Sequence, residues 1–340
     1  MEVEEGVERN YRPLSVCLVT YNSGALMLDC LRPFRDRDES IRVRVWDNGS
    51  TDGTTPETLK KLKAARLIDD LVLSPDDPGW APGTNQLIKR AGDDDILFLN
   101  PDARVQIRDV RLLQDAVLAD PTIGIASPVV AGEDDIEVMS AGLQPRLWPL
   151  FTHYSGLSKA FPKVRFLRGR HLFLKDHSDE DNDVEWSSGA VLFVPRSTID
   201  RVGLLSTRWF MYGEDIEYCQ RVLDAGLRVR IVSAAKAYHA VGGSEAGAED
   251  DLDLTDIPVE DDAVYAVPGE GIAPPADLTG MWGRHTYAYY VHQFRPNPVT
   301  RFAWRVVFSG GLASRALVRR IRSPKDPMAK KLLDNALAVW

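Results

Sequence analysis

Leu14-Ser-Val-Cys-Leu-Val-Thr-Tyr-Asn-Ser-Gly24 is the stretch on which the fold turns. Its first seven residues are an apolar, β-rich run, suited to a strand buried on both faces. The Tyr-Asn-Ser-Gly turn then leads into a predicted helix around Ala25 to Phe34. The alternation repeats downstream. Arg42 to Trp46 reads as a strand ending on Asp47-Asn48-Gly49, and Pro56 to Ala65 as a helix. Leu71 to Ser74 reads as the next strand. The Gly/Pro-rich loop Pro78-Gly-Trp-Ala-Pro-Gly83 opens a helix running through Lys89, and Asp95 to Leu99 is a strand running into Asn100-Pro101-Asp102. A βαβαβ run of this kind implies a parallel sheet with right-handed crossovers. Ligands on such sheets sit beyond the carboxyl ends of the strands, where Asn22, Asp47 and Asp102 fall.

The common nucleotide folds do not fit. The first βα turn lacks G-x-G-x-x-G, and no G-x-x-x-x-G-K-[ST] occurs anywhere in the chain.

Further along, residues 131–183 show little periodicity and read as an irregular excursion with a mobile loop. Val184 to Val194 reads as a strand with a tight Ser-Gly turn, followed by a helix near Arg196 to Val202. A helix from Glu214 to Ala225, stopped by Gly226, leads to a strand from Leu227 to Val232 that runs on to Tyr238-His239. The Gly/Pro-rich acidic stretch to Asp277 is expected to loop out. Three helices close the chain, around 280–294, 299–322 and 326–338.

Bulk properties narrow the class. The chain has 340 residues, 44% hydrophobic and 27% charged, which is a folded globular composition with room for a large α/β domain and an appendage. No apolar run is long enough for a membrane span, and Met1 to Asn10 lacks the features of a secretory signal; a cytoplasmic location is expected. Cys17, Cys30 and Cys219 are widely spaced, so neither a disulfide framework nor a zinc site is suggested. A formal net charge of −9 argues against nucleic acid as a partner. Charge is segregated: every charged residue from Glu245 to Asp277 is acidic, and every one from Thr279 to Lys325 is basic.

Four places could carry chemistry. Asp47 can accept hydrogen bonds from a base or ribose, although Asp-Asn-Gly also makes an ordinary turn. Asp102, after a buried strand, can hold a hard divalent cation against a diphosphate, or can simply end the strand in an Asn-Pro turn. Glu214 and Asp215 open a helix whose dipole favours ionised carboxylates. Such a group can take a proton from a hydroxyl, or merely stabilise its helix. His239 is a second metal ligand or a structural histidine.

Order and spacing bind these signals together. Thr20-Tyr-Asn-Ser, Trp46-Asp-Asn-Gly-Ser-Thr-Asp-Gly, Phe98-Leu-Asn-Pro-Asp-Ala, Trp186-Ser-Ser-Gly-Ala, Phe210-Met-Tyr-Gly-Glu-Asp-Ile-Glu and His239 resemble glycosyltransferase family 2. The likeness is greatest to its rhamnosyltransferase-like and galactofuranosyltransferase-like members. The resemblance covers about residues 13–244 and implies an α/β GT-A fold, a Rossmann-like mostly parallel sheet with helices on both faces. On that division residues 1–12 are a tail, 13–130 the nucleotide-binding half and 131–244 the acceptor-binding half. An acidic loop (245–278) and a C-terminal helical region (279–340) complete the chain.

The resemblance further implies an inverting, non-processive transfer from a dTDP-, UDP- or GDP-linked sugar to a glycan or polyprenol-linked acceptor. It assigns the donor nucleotide to Thr20, Tyr21, Asn22, Asp47, Asn85 and Asn100, and Mn²⁺ or Mg²⁺ to Asp102 and His239. Trp186, Ser188 and Gly189 would line the acceptor and sugar pocket, with Asp215 as general base and Glu214 beside it. The chain departs from the pattern in three ways. Asn100 replaces the first acid of a DxD motif, Pro82 stiffens the loop 77–85, and the acidic stretch is longer than usual. The Q-x-x-R-W motif and membrane spans of processive relatives are missing. A sugar nucleotidyltransferase would need a Gly- and Lys/Arg-rich triphosphate loop that the sequence lacks. A catalytically degenerate scaffold would not be expected to keep Asp102, Asp215 and His239. For residues 298–322 two readings stand. One is a basic, aromatic, amphipathic helix touching an anionic membrane surface. The other is a helix whose apolar stripes, Val299, Phe302, Ala303, Val306 and Val307 among them, pack on the catalytic domain, with Gly310-Gly311 breaking or kinking it. The oligomeric state is left open.

Overall fold

The computed structural model describes residues 11–131, 138–239, 254, 257, 262–266 and 275–340. The expected N-terminal tail and the acidic stretch lie mostly outside these residues. The first half follows the predicted alternation: β1 (Leu14–Thr20), α1 (Gly24–Leu31), β2 (Ile41–Asp47), α2 (Thr55–Ala64), β3 (Asp70–Leu73), α3 (Trp80–Ala91) and β4 (Asp95–Leu99). Then come β5 (Ala103–Val105), α4 (Ile107–Ala119) and β6 (Ile123–Ala131). The stretch expected to be irregular holds β7 (Ala141–Gly142), α5 (Leu147–Tyr154), α6 (Leu157–Ala160), α7 (Leu174–His177) and β8 (Asn182–Val184). After it follow β9 (Trp186–Ser187), β10 (Val191–Val194), α8 (Arg196–Val202), α9 (Glu214–Asp224), β11 (Arg228–His239) and β12 (Val264–Tyr265). The chain ends on α10 (Met281–Phe294), α11 (Pro298–Arg322) and α12 (Pro327–Leu337).

All seven residues of β1 are buried, as a central parallel strand requires. Leu14, Val16 and Leu18 join the apolar layer beneath α1, α2 and α4, while Cys17 and Val19 join the layer on the other face. The sheet order is β12-β3-β2-β1-β4-β10-β6-β11-β5, with β8 added on β11. β10 runs antiparallel to both β4 and β6, so the sheet is mixed beyond the parallel half built from β1 to β4. This is the GT-A arrangement.

Three expectations change. The helix after β3 begins at Trp80, earlier than the loop reading allowed, and Pro82 sits in its first turn, where a missing N–H costs nothing. Two residues of the stretch expected to loop out, Val264 and Tyr265, instead pair in parallel with Val72 and Leu73 at the edge of the sheet. Helix α11 runs unbroken through Gly310-Gly311. A Cβ at Gly311 would lie 2.1 Å from Cγ of Tyr154, so that glycine serves close helix packing and not a kink.

The C-terminal helices build their own core on α5. Trp304 stacks on Tyr290 and Phe308, with ring centroids 5.1 and 4.7 Å apart, and donates its indole N–H to the Pro145 carbonyl at 2.6 Å. The opposite side of α11 is uncovered: Val299, Phe302, Val306, Leu317 and Ile321 are exposed at 78, 59, 47, 60 and 74%. Expectation and structure therefore part over this helix, because Trp304, Phe308 and Leu312 fill the core and the Val299/Phe302/Val306 stripe does not. No helix among the described residues is long and apolar enough to cross a membrane.

Candidate active site

The strand pairings assemble the site. β11 ends on His239, which pairs antiparallel with Ala103 at the start of β5. Asp102 immediately precedes Ala103, so the register alone brings two residues 137 apart in sequence side by side. His239 Nε2 lies 3.0 Å from Asp102 Oδ1. Asn100, at the end of β4, donates its amide to the Ala190 carbonyl at 2.9 Å and thereby ties this corner to the turn between β9 and β10.

That turn meets α9. The Gly189 amide donates to Asp215 Oδ2 at 3.1 Å and the Ile216 amide to Oδ1 at 2.7 Å. Glu214, next to it, is buried and accepts from the Gly213 amide at 2.7 Å. Burial pushes both carboxyl groups above their ordinary range, and for Glu214 the charge of Asp215 adds to the effect. Asp215 is opposed in this by its two amides and by the guanidinium of Arg170. Asp215 is therefore the member of the pair held more firmly in its ionised form, with a carboxylate available to take a proton. Arg170 is itself buried between the rings of Trp186 and Trp282, at 5.6 and 5.2 Å, and its Nε and Nη1 have no hydrogen-bond partner among the described residues.

Asp102, His239 and Asn100 line one cavity of about 340 Å³ together with Asp215 and Glu214. Tyr21, Ser188 and Gly189 also line it. Five expected residues do not. Thr20 is buried beneath the cavity. Asn22 accepts the amides of Thr51 and Asp52, pinning one loop to the next. Asp47 is in register with Thr20 at the strand ends, but its oxygens hold the amide and hydroxyl of Ser50 at 3.0 and 2.5 Å. Asn85 is buried and makes a two-way backbone clasp with Leu205, both bonds 2.9 Å. Trp186 points behind the wall, its indole N–H donating to the Arg170 carbonyl at 3.0 Å.

The aromatic that does line the cavity is Trp80, joined by Met211 and Tyr212. Trp80 is delivered by Gly79, whose φ of +94° and whose approach to the Phe210 carbonyl exclude a side chain: a Cβ there would lie 2.7 Å from that oxygen. Asn85→Ala is accordingly expected to cost about 1–3 kcal/mol of stability by stranding the Leu205 backbone. Donor affinity should stay close to wild type. Parallel denaturant melts and donor titrations check this, and a selective loss of donor binding would return Asn85 to the site.

Known proteins bear on this arrangement. The glycosyl transferase family 2 model matches residues 15–181. An N-acetylglucosaminyl-diphospho-decaprenol L-rhamnosyltransferase of Mycobacterium tuberculosis is 28% identical over 239 residues, which is 66% of this chain and 76% of that protein. The chain belongs to glycosyltransferase family 2. The rhamnosyltransferase WbbL of Escherichia coli is 28% identical over 155 residues, 44% of this chain and 53% of the relative. Two solved structures share the GT-A fold. GalNAc-T7 with UDP, GalNAc and Mn²⁺ superposes with a TM-score of 0.53 at 12% identity, over 86% of this chain and 53% of that one. A mannosyltransferase of Pyrobaculum calidifontis with GDP-mannose and Mn²⁺ gives 0.52 at 18% identity, over 97% and 88%. As a family 2 member, the chain is a rhamnosyltransferase-like glycosyltransferase.

The residues present fit a divalent ion such as the Mn²⁺ that those two solved structures hold. Among the described residues no group of three or more His, Cys, Asp or Glu side chains could hold a metal unaided. Asp102 and His239 supply two ligands on the cavity wall, and a hard cation readily completes its shell with substrate phosphates and water. Among the described residues His239 Nδ1 is buried without a partner, and the polar contact of the ring there is the one that a shared ion would replace.

Proposed function

We propose that this glycosyltransferase moves a hexosyl group, L-rhamnosyl foremost, from a nucleoside diphosphate donor to a hydroxyl of a polyprenol-linked or glycan acceptor. Transfer proceeds with inversion, one residue at a time, in cell-envelope glycoconjugate synthesis. The observation that carries the reading is that Asp102, His239 and Asp215 line one cavity. Inversion requires a base on the acceptor side and a charge clamp on the leaving diphosphate, and no protein nucleophile. Relatives named as rhamnosyltransferases, one acting on N-acetylglucosaminyl-diphospho-decaprenol, support the sugar and the lipid carrier.

In this mechanism Asp102 and His239 would hold Mn²⁺ or Mg²⁺, which when bound would neutralise charge on a nucleoside diphosphate leaving group. The nucleoside is assigned to the side of the adjacent strand ends that carry Thr20 and Asp47. Asp215, kept ionised by the Gly189 and Ile216 amides, takes the acceptor hydroxyl proton as the oxygen attacks the anomeric carbon. Trp80 offers an apolar face to the sugar ring and helps keep water out. A panel of dTDP-, UDP- and GDP-sugars, scored by thermal shift with Mn²⁺ and by release of nucleoside diphosphate, tests the reading. A rise in melting temperature confined to one donor is the expected result. No response to any donor would remove it.

The exposed stripe of α11 supports a peripheral membrane contact for the same reading. Val299, Phe302, Val306, Leu317 and Ile321 run along one side of a helix about 37 Å long. Arg301, Arg305, Arg320 and Arg322 are carried on the same helix, and each basic residue near an anionic surface contributes about 1 kcal/mol. Co-sedimentation should detect the protein on anionic vesicles at low salt, with less bound as salt rises and less again for Phe302→Ser/Ile321→Ser. Failure to bind at low salt would leave the stripe without this role.

A further inference from the structure

Helix α10 belongs to the C-terminal region, yet it holds the segment around Asp215 at three points. The His285 ring donates from Nδ1 to the Met211 carbonyl, which can only accept, so Nδ1 carries the proton. Trp209, two residues before Met211, is buried edge-on against Tyr289 and His292, with ring centroids 5.9 and 6.1 Å apart. The Tyr289 hydroxyl donates to Gln144 Oε1 at 2.9 Å, and Gln144 carries the contact onward. Its Nε2 donates to the Ile216 carbonyl at 3.3 Å and to the Glu185 carbonyl at 2.8 Å. Tyr289 and Gln144 are both fully buried, where each polar group needs its partner.

These contacts bracket residues 212–215. Met211 and Ile216 flank them, and the Ile216 amide is one of the two that hold the Asp215 carboxylate. Inside the bracket Tyr212 is held at φ +73°, a conformation unfavourable for a bulky residue. Gly213 backs so closely on Trp209 that a Cβ would lie 2.9 Å from Cγ of the ring. Such a backbone persists only where its surroundings over-determine it. His285 supplies that constraint on the Met211 side, and Tyr289 through Gln144 on the Ile216 side. Met211, Tyr212, Glu214 and Asp215 all line the catalytic cavity, so a slip of the segment displaces the base from its substrate.

We propose that His285 and Tyr289 are positioning residues: α10 clamps residues 212–215 and so keeps the Asp215 carboxylate where the acceptor hydroxyl is deprotonated. The proposal rests on the transfer reaction and the base assigned above. Neither residue lines the cavity; one acts through Met211 and the other through Gln144. The C-terminal helices are thereby part of the catalytic apparatus.

Full-length variants at His285 provide the test, because asparagine and glutamine place a donor at different depths. The amide nitrogen of asparagine stands where Nδ1 stands, and that of glutamine where Nε2 stands. The probes are dTDP-L-rhamnose with Mn²⁺ and N-acetylglucosaminyl diphosphofarnesol. His285→Leu and His285→Gln should lower single-turnover transfer about tenfold or more, while His285→Asn stays within about twofold of wild type. Donor affinity, read from thermal shifts over a range of donor concentrations, should not change in any of the three. Tyr289→Phe keeps the buried ring and deletes the hydroxyl; it should lose rate in the same way at unchanged donor affinity. A packing role predicts the reverse order, with leucine and glutamine tolerated better than asparagine. That order, an undiminished rate for His285→Leu, or donor affinity falling in step with rate would overturn the proposal. Asp215→Asn, measured alongside, keeps two failures apart. If it abolishes transfer and the His285 and Tyr289 variants do not slow it, the clamp alone is wrong. If it retains turnover, the reading of Asp215 as base falls and the clamp falls with it.

Discussion

Asp215→Asn is expected to lower sugar transfer by about 10²–10⁴-fold while leaving donor binding in place, the usual cost of removing a positioned general base. The substitution is nearly isosteric, and an asparagine oxygen can still accept one of the two amide bonds that hold the carboxylate, so the fold should survive. What disappears is the capacity to accept a proton. Single-turnover transfer and donor thermal shift, measured on the same preparation, separate these effects. In the wild-type enzyme the pH profile should carry the same signature. The carboxyl group of Asp215 is raised by burial. Protonation as pH falls removes the base, so kcat/KM should decline on an acid limb lying above the ordinary carboxylate range. Replacing Arg170 with Met removes a charge that opposes this shift, and the limb should move further up in pH. Near-normal turnover by Asp215→Asn would move the base to Glu214.

Asp102→Ala carries the second large effect, a loss of metal-dependent donor binding. The residue stands 3.0 Å from His239, and each is the nearest ligand of its type to the other in the cavity. If both hold one ion, the first substitution already forfeits most of what the site contributes. The double variant with His239→Ala should then lose less than the sum of the two single losses, with a coupling of about 0.5–3 kcal/mol. The measurement is donor affinity at a series of Mn²⁺ concentrations for the four proteins of the cycle. Strict additivity would take His239 out of the metal site and leave its contact with Asp102 as packing.

The parallel half of the sheet was legible because its strands are short apolar runs ended by polar turns, a pattern that local sequence carries. The positions of Asn100, Asp102 and Asp215 followed from the same logic, since strand ends and helix starts are where such a sheet presents side chains. Asn85 and Trp186 defied it for a tertiary reason. The polar end of Asn85 is used by Leu205, 120 residues away, and no local pattern announces that partner. Trp186 lies on a two-residue strand, too short for alternation to tell which face it takes. Trp80 was missed because Gly-Trp-Ala-Pro-Gly reads as a loop, whereas Pro82 is fully at home in a first helical turn. In the C-terminal region the apolar spacing was right and the buried face was not. α11 has two apolar sides, and only the partners on α5, α10 and α12 decide which is covered.

The pairing of Val264 and Tyr265 with β3 has a consequence for the solubility of shortened forms of the protein. β3 would otherwise end the sheet on that side with unpaired amides and carbonyls, a template for association with another chain. The Ala266 amide bonds the Leu73 carbonyl at 2.9 Å, and Lys60 and Lys63 hold Tyr265 and Asp262 from α2, so the segment is fastened across the edge. A truncation after residue 244 would keep Asp102, Asp215 and His239 but strip that cover together with α10–α12, whose Trp282 lies over Arg170 and whose Tyr289 is part of the core. Such a fragment should aggregate more readily than the full chain.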